Sequence, residues 1–133
     1  MKTPGYILLV EDEPVMRDLI LLAFTQQFHQ DYKVHSVKNG LEALDMIHEQ
    51  APSLVILDIL LPQMNGLQLI QKLRDEQLLH NTQIIIISGL GFTEIVQQAL
   101  EAGVRDFLVK PFKIDILVER ARVLLGQVEV VTA

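Results

Sequence analysis

The sequence contains no cysteine. Disulfides, thiolate zinc sites and cysteine nucleophiles are excluded together, and nothing points to an oxidising compartment. It also lacks a basic excess: 11 Lys and Arg stand against 17 Asp and Glu, a net charge of -6. Duplex-binding surfaces carry positive charge, so no direct nucleic acid contact is expected, whereas a metal cation is compatible. Long hydrophobic runs are missing. The longest uninterrupted apolar stretch, Leu19 to Phe24, falls far short of the roughly 20 residues of a membrane helix. After Met1-Lys2-Thr3-Pro4-Gly5 comes only a short apolar run before Glu11, too short for a signal peptide. The expectation is a cytoplasmic protein with no membrane partner. Internal linkers, low-complexity tracts and long repeats are absent too.

What remains suits a folded domain. Half of the 133 residues are hydrophobic and 21% are charged, enough for a core without staples. One domain over residues 1–126 is expected, with 127–133 as a tail or the start of a linker. Strand-like and helix-like segments alternate along it. Tyr6 to Val10 reads as a strand. Pro14 to Gln27 reads as a helix, with apolar residues Val15, Leu19, Leu22 and Ala23 at helical spacing. Lys33 to Val37 is a weaker strand, and Gly40 to Gln50 a helix with Leu41, Leu44 and Ile47 on one face. Leu54 to Leu57 is a continuous apolar run that ends at Asp58. Gly66 to Arg74 is helical through Leu67, Ile70 and Leu73. Ile84 to Ile87 is another apolar run, ending at Ser88. Phe92 to Ala102 is helical, with Gly103 as a cap past its end. Asp106 to Val109 is the last strand. Lys113 to Leu125 is the last helix, with a buried stripe at Ile114, Leu117, Val118, Ala121 and Leu124 and with Ile116 and Val123 on its outer side. Apolar strands separated by helices imply a parallel sheet covered on both faces.

In such sheets, ligands bind beyond the carboxyl ends of the strands, at the switch point in strand order. The residues that follow the strands are Glu11, Asp12 and Glu13, then Asp58, then Ser88, then Lys110. With the order 2-1-3-4-5, strands 1 and 3 are neighbours, and Glu11, Asp12 and Asp58 come together. Three carboxylates in one pocket repel each other unless a cation compensates. Magnesium, which takes hard oxygen ligands and pairs carboxylates with phosphate oxygens, fits that need. Lys110 adds a positive charge and Ser88 a hydroxyl, which describes a site for an anion on or beside a carboxylate. Singly, each residue has a plainer reading: an acidic run is usually solvated or sits at a helix N-terminus, and a lone Asp, Ser or Lys is usually a turn, a cap or surface. All four falling at strand ends is what lifts the functional reading.

The stretches Ile7-Leu8-Leu9-Val10-Glu11-Asp12-Glu13-Pro14, Leu57-Asp58-Ile59-Leu60-Leu61-Pro62-Gln63-Met64-Asn65-Gly66, Ile87-Ser88-Gly89 and Phe107-Leu108-Val109-Lys110-Pro111-Phe112 resemble a bacterial response-regulator receiver, over roughly Tyr6 to Leu125. The resemblance implies a doubly wound, flavodoxin-like (βα)5 domain with five parallel strands in the order 2-1-3-4-5. It implies Asp58 as the phosphoacceptor, Asp12 as a direct magnesium ligand, Glu11 as one acting through water, and the backbone carbonyl of Leu60 as a further ligand. Ser88 becomes the switch hydroxyl, with Gly89 keeping access open. Phe107 becomes the aromatic switch residue, and Lys110 the contact to the phosphoryl group. The implied donor is the phosphohistidine of a sensor histidine kinase or a histidine phosphotransfer protein. The implied output is a reshaped face of helix 4, strand 5 and helix 5. On it the outer residues Ile116 and Val123 are expected to make a phosphorylation-sensitive contact, either a homodimer or a docking surface. Lys110-Pro111 is expected to be cis. Ser88 stands where Thr is frequent and Phe107 where Tyr is frequent; the hydroxyl survives the first change, while the second removes a phenol. By the same resemblance the chain catalyses only its own phosphorylation and dephosphorylation.

Other readings fit less well. A haloacid-dehalogenase-like phosphatase also uses an aspartate after a strand, but needs a second acid where Leu60 stands. Gly89-Leu90-Gly91 imitates part of a dinucleotide fingerprint, yet the third glycine is missing and the run follows strand 4. A flavodoxin would set phosphate against an acidic loop. A receiver that is never phosphorylated is disfavoured by the intact acidic pair, Asp58 and Lys110. The four histidines, His29, His35, His48 and His80, show no ligand spacing.

Overall fold

A computed structural model describes residues 5–89 and 93–127. The five strands are β1 (Tyr6–Val10), β2 (Lys33–Val37), β3 (Leu54–Asp58), β4 (Gln83–Ser88) and β5 (Asp106–Val109), and the five helices are α1 (Pro14–Phe28), α2 (Gly40–Glu49), α3 (Gly66–Asp75), α4 (Thr93–Glu101) and α5 (Ile114–Leu124). All strands pair in parallel, in the order β2-β1-β3-β4-β5. The doubly wound fold and its strand order are therefore as expected. The expected first residue of α4, Phe92, lies outside the described residues, as do 128–133 of the expected tail. Among the described residues, no helix is long and apolar enough to cross a membrane.

Strand alternation sends successive side chains into two cores. Leu8, Val10, Val55, Leu57, Ile84 and Ile86 meet α2, α3 and α4. Ile7, Leu9, Leu54, Ile56, Ile85 and Ile87 meet α1 and α5. The central strands are buried on both faces, which is why they read as unbroken apolar runs. β2 is an edge strand, and its two valines serve opposite layers: Val37 is buried in the first core, and Val34 packs against the second.

Three expectations about helix faces need correction. In α1 the residues facing the sheet are Ile20, Phe24 and Phe28, while Val15, Leu19 and Leu22 are exposed. Apolar side chains run nearly all round this helix, so spacing alone admits either face. The orientation goes with the aromatics: Phe24 lies 5.2 Å from Phe28, which meets Tyr32 edge-on at 6.4 Å. In α2, Leu44 and Ile47 are buried together with Ala43, but Leu41 is exposed, because it sits in the first turn beside the loop. In α5, Leu117, Val118 and Ala121 are buried. Ile114 and Leu124 pack against them, Ile116 is exposed as expected, and Val123 is half-buried. Gly103 follows α4 with φ 104°, and Lys110-Pro111 is cis, both as read from the sequence.

The loop after β3 is locked by a close approach. Gly66 donates its N–H to the Ile59 carbonyl at 2.9 Å. A Cβ there would lie 2.8 Å from both the Asp58 carbonyl oxygen and the Ile59 Cα. These are backbone atoms and cannot swing aside. At Gly89 an added Cβ meets nothing within 4 Å. Gly66→Ala is therefore expected to destabilise the domain by about 1–3 kcal/mol through overpacking, while Gly89→Ala stays within about 0.5 kcal/mol of the parent. Denaturant melts of the two variants measure this, and equal stabilities would contradict it.

Candidate functional site

The ends of four strands deliver the polar groups to one end of the sheet. Glu11 follows Val10, the last residue of β1. Its N–H donates to the Val37 carbonyl of β2 at 3.1 Å, so the edge strand fixes where the acidic loop starts. Asp58 is the last residue of β3, where its register partner is Ile87 on β4. Ser88 ends β4, and its carbonyl accepts from the Lys110 N–H at 2.7 Å. Lys110 is thereby held just past β5.

Glu11, Asp58 and Ser88 are the buried polar residues among those described. The Lys110 ammonium bridges the first two: Nζ lies 2.8 Å from Asp58 Oδ2 and 3.1 Å from Glu11 Oε1. The other Asp58 oxygen, Oδ1, accepts from the Leu60 N–H at 3.0 Å. Asp58 is thus oriented by one donor on each oxygen. The Leu60 side chain, 58% exposed, plays no part in this. Asp12 is exposed, at the open side of the cluster.

Fully ionised, three carboxylates exceed the single ammonium by two charges. Burial, then the neighbouring Asp58 carboxylate, push the Glu11 carboxyl up to about 7, against the pull of Lys110. Burial works against the Lys110 ammonium, but the hydrogen bonds and charges of Asp58 and Glu11 outweigh it and raise its pKa. One carboxylate oxygen from each of Glu11, Asp12 and Asp58 lies within 4.8 Å of the others. Hard oxygens at that spacing, with negative charge in excess, suit a small divalent cation.

The expected residues therefore converge in part. Glu11, Asp12, Asp58 and Lys110 form one cluster, with Ser88 buried at the end of the adjacent strand. Phe107 stands two residues before Val109 on β5, half-buried against the core beneath α4. Glu13 separates from the acidic run. Its carboxylate caps α1, accepting from Met16 N–H at 2.7 Å and Val15 N–H at 3.1 Å, and these bonds lower its pKa. For Glu13 the helix N-terminal reading holds. Arg17 was not singled out in the sequence. Its guanidinium reaches the Glu11 carbonyl at 3.5 Å, one turn along the helix that Glu13 caps.

The chain is similar to known proteins in sequence and fold. The response regulator receiver domain model matches residues 7–122. Response regulator Rre1 of Synechocystis sp. is 36% identical over 127 residues, covering 96% of this chain and 54% of that protein. Response regulator ArlR of Staphylococcus aureus is 37% identical over 119 residues, covering 90% of this chain and 52% of that protein. The chain spans about half the length of these curated relatives. Among solved structures, the receiver domain of Francisella response regulator 1452 superposes with a TM-score of 0.81 at 28% identity, covering 92% of this chain and 98% of that one. The receiver domain of sensor histidine kinase PA1611 from Pseudomonas aeruginosa, with a magnesium ion coordinated in its active site cleft, gives a TM-score of 0.78 at 27% identity, covering 93% and 99%. With its strand order, its acidic cluster and a family match across most of its length, the chain belongs to the response regulator receiver domain family of two-component signalling.

Proposed function

We propose that Asp58 is a phosphoacceptor working with magnesium. The observation that carries this reading is the Asp58 carboxylate, buried at a strand end, with the Lys110 ammonium at 2.8 Å and with one oxygen each of Glu11 and Asp12 within 4.8 Å of one of its own. Leu60 N–H and Lys110 hold the carboxylate in one orientation. It attacks the phosphorus of a phosphohistidine on a sensor histidine kinase or phosphotransfer protein. An oxygen–phosphorus bond forms, the phosphorus–nitrogen bond breaks, and the imidazole leaves with the electron pair. Magnesium, when bound, neutralises charge on the transferring oxygens. Asp12, exposed at the open side of the cluster, Asp58 and the Leu60 carbonyl would hold it, with Glu11 in an outer role. Lys110 then turns to the phosphoryl oxygens. Ser88 supplies a hydroxyl to the acyl phosphate, and Phe107 passes the change to the α4–β5–α5 face. The domain acts inside the cell as a signalling module, and its only chemistry is on itself.

Incubation with acetyl phosphate and magnesium should add one phosphoryl group by intact mass, and Asp58→Asn or chelation of the metal should prevent it. Label that persists in Asp58→Asn would sink the assignment. Sedimentation of the same phosphorylated sample reads the homodimer expected around Ile116. Self-association that Ile116→Asp removes supports it, and an unchanged monomer rejects it.

The docking face of the donor is α1. Val15, Leu19 and Leu22 are 65%, 49% and 57% exposed and share one stripe at i, i+4 and i+7, leading away from the acidic loop. An apolar stripe on a helix fits the apolar face of another helix. Leu22→Asp should slow transfer from a phosphorylated histidine donor about tenfold, the loss of one interface anchor. Labelling by acetyl phosphate should not change, because that small donor needs no docking face. Equal slowing with both donors would refute this role for α1.

A further inference from the structure

The far end of the molecule carries a contact network that the phosphoacceptor reading does not use. α5 begins near Lys110 at the acidic end of the sheet, so its last turn lies at the opposite end, beside the end of α1. There the chain leaves α5 through Gly126, at φ 74°, a left-handed conformation suited to glycine. The Gly126 N–H donates to the Val123 carbonyl at 3.1 Å and the Gln127 N–H to the Arg122 carbonyl at 2.9 Å. These two bonds form a Schellman motif and close the helix.

The closed end is then tied across to α1. The Arg122 guanidinium lies over the Phe28 ring, 5.1 Å from its centroid. One of its nitrogens donates to Gln27 Oε1, and another lies 3.4 Å from Gln127 Oε1. Gln127 in turn donates from Nε2 to Asp31 Oδ2 at 3.2 Å. Gln27 and Phe28 are the last two residues of α1, and Asp31 lies in the turn to β2. Phe28 is buried in the core, so the platform under the guanidinium is fixed. An exposed hydrogen bond between long side chains usually orders little. Here one guanidinium makes a stacked contact and two hydrogen bonds, and the residue it touches after the helix makes a further bond to a different element.

We propose that Arg122, Gln127 and Asp31 form a clasp that fixes the direction in which the chain leaves the domain. Gln127 is held from both sides: by backbone to the end of α5 and by side chain to the α1–β2 turn. The exit is therefore a set corner of the fold at the end remote from Asp58, and not a swivel. The clasp has a second consequence. α5 can shift at its Lys110 end only by pivoting about this corner or by releasing it. The inference does not rest on phosphorylation of Asp58, since every group in it lies away from that residue.

The test is amide hydrogen exchange by NMR on the whole chain, comparing the parent with Arg122→Ala and Asp31→Ala. Exchange at the Gly126 and Gln127 amides should quicken about tenfold in each variant as the corner opens locally. The Leu117 and Val118 amides should keep their parent rates, which separates local opening from loss of the helix. Unchanged exchange at Gly126 and Gln127 in both variants would overturn the clasp, and so would unprotected amides there in the parent. If Arg122→Ala also loosens Leu117 and Val118, Asp31→Ala alone decides, because it removes only the outer link.

Discussion

The bridge from the Lys110 ammonium to Asp58 and Glu11 is the interaction on which the site depends. Two carboxylates buried at neighbouring strand ends repel each other, and a third stands within reach. Without a cation between them, one must take up a proton or move into solvent. Lys110 supplies that cation from 52 residues beyond Asp58, so the bond closes only when β5 has added to β4. The pocket is thus completed by the edge strand of the sheet. One ammonium does not balance three carboxylates; burial first, and the Asp58 carboxylate second, raise the pKa of Glu11. That remaining negative charge is the physical reason a divalent cation fits.

The fold serves this arrangement by being rigid where charges meet and plain elsewhere. β1 and β3 are adjacent because the strand order reverses between them, which brings Glu11 beside Asp58. The loop after β3 is pressed against the strand end at Gly66, so the residues that follow Asp58 have little freedom. The Leu60 N–H can then hold one carboxylate oxygen while Lys110 holds the other. Glu13 uses its charge to start α1 and leaves Glu11 and Asp12 to the pocket. The acidic run is a working division: one residue buried, one open to solvent, one capping a helix.

Much of this was legible in the sequence because buried parallel strands have an unmistakable form. Leu54 to Leu57 and Ile84 to Ile87 are apolar without interruption, so the first polar residue after each marks a strand end. Asp58 and Ser88 could be placed without knowing the fold in detail. Helix faces were harder. α1 carries leucine on both sides, and only packing among Phe24, Phe28 and Tyr32 chooses between them; that choice leaves Val15, Leu19 and Leu22 outside. Leu41 read as core by spacing alone and is exposed in the first turn of α2. The contacts of Arg122 with Gln27 and Phe28 join residues about 95 positions apart, and no periodicity signals such a pair. Local pattern reports what a strand buries, whereas the orientation of a helix and the contacts between helix ends arise from tertiary packing.

The dependence of the site on Lys110 can be measured by a double-mutant cycle in metal-free buffer. Lys110→Met leaves Asp58 and Glu11 facing each other, and Asp58→Asn removes one of the two charges. The expected result is that Lys110→Met destabilises the domain, that Asp58→Asn added to it restores stability, and that the two changes couple by about 0.5–3 kcal/mol, as contacting residues do. Effects that add within about 0.5 kcal/mol would contradict the claim, since the ammonium would then not be compensating that carboxylate.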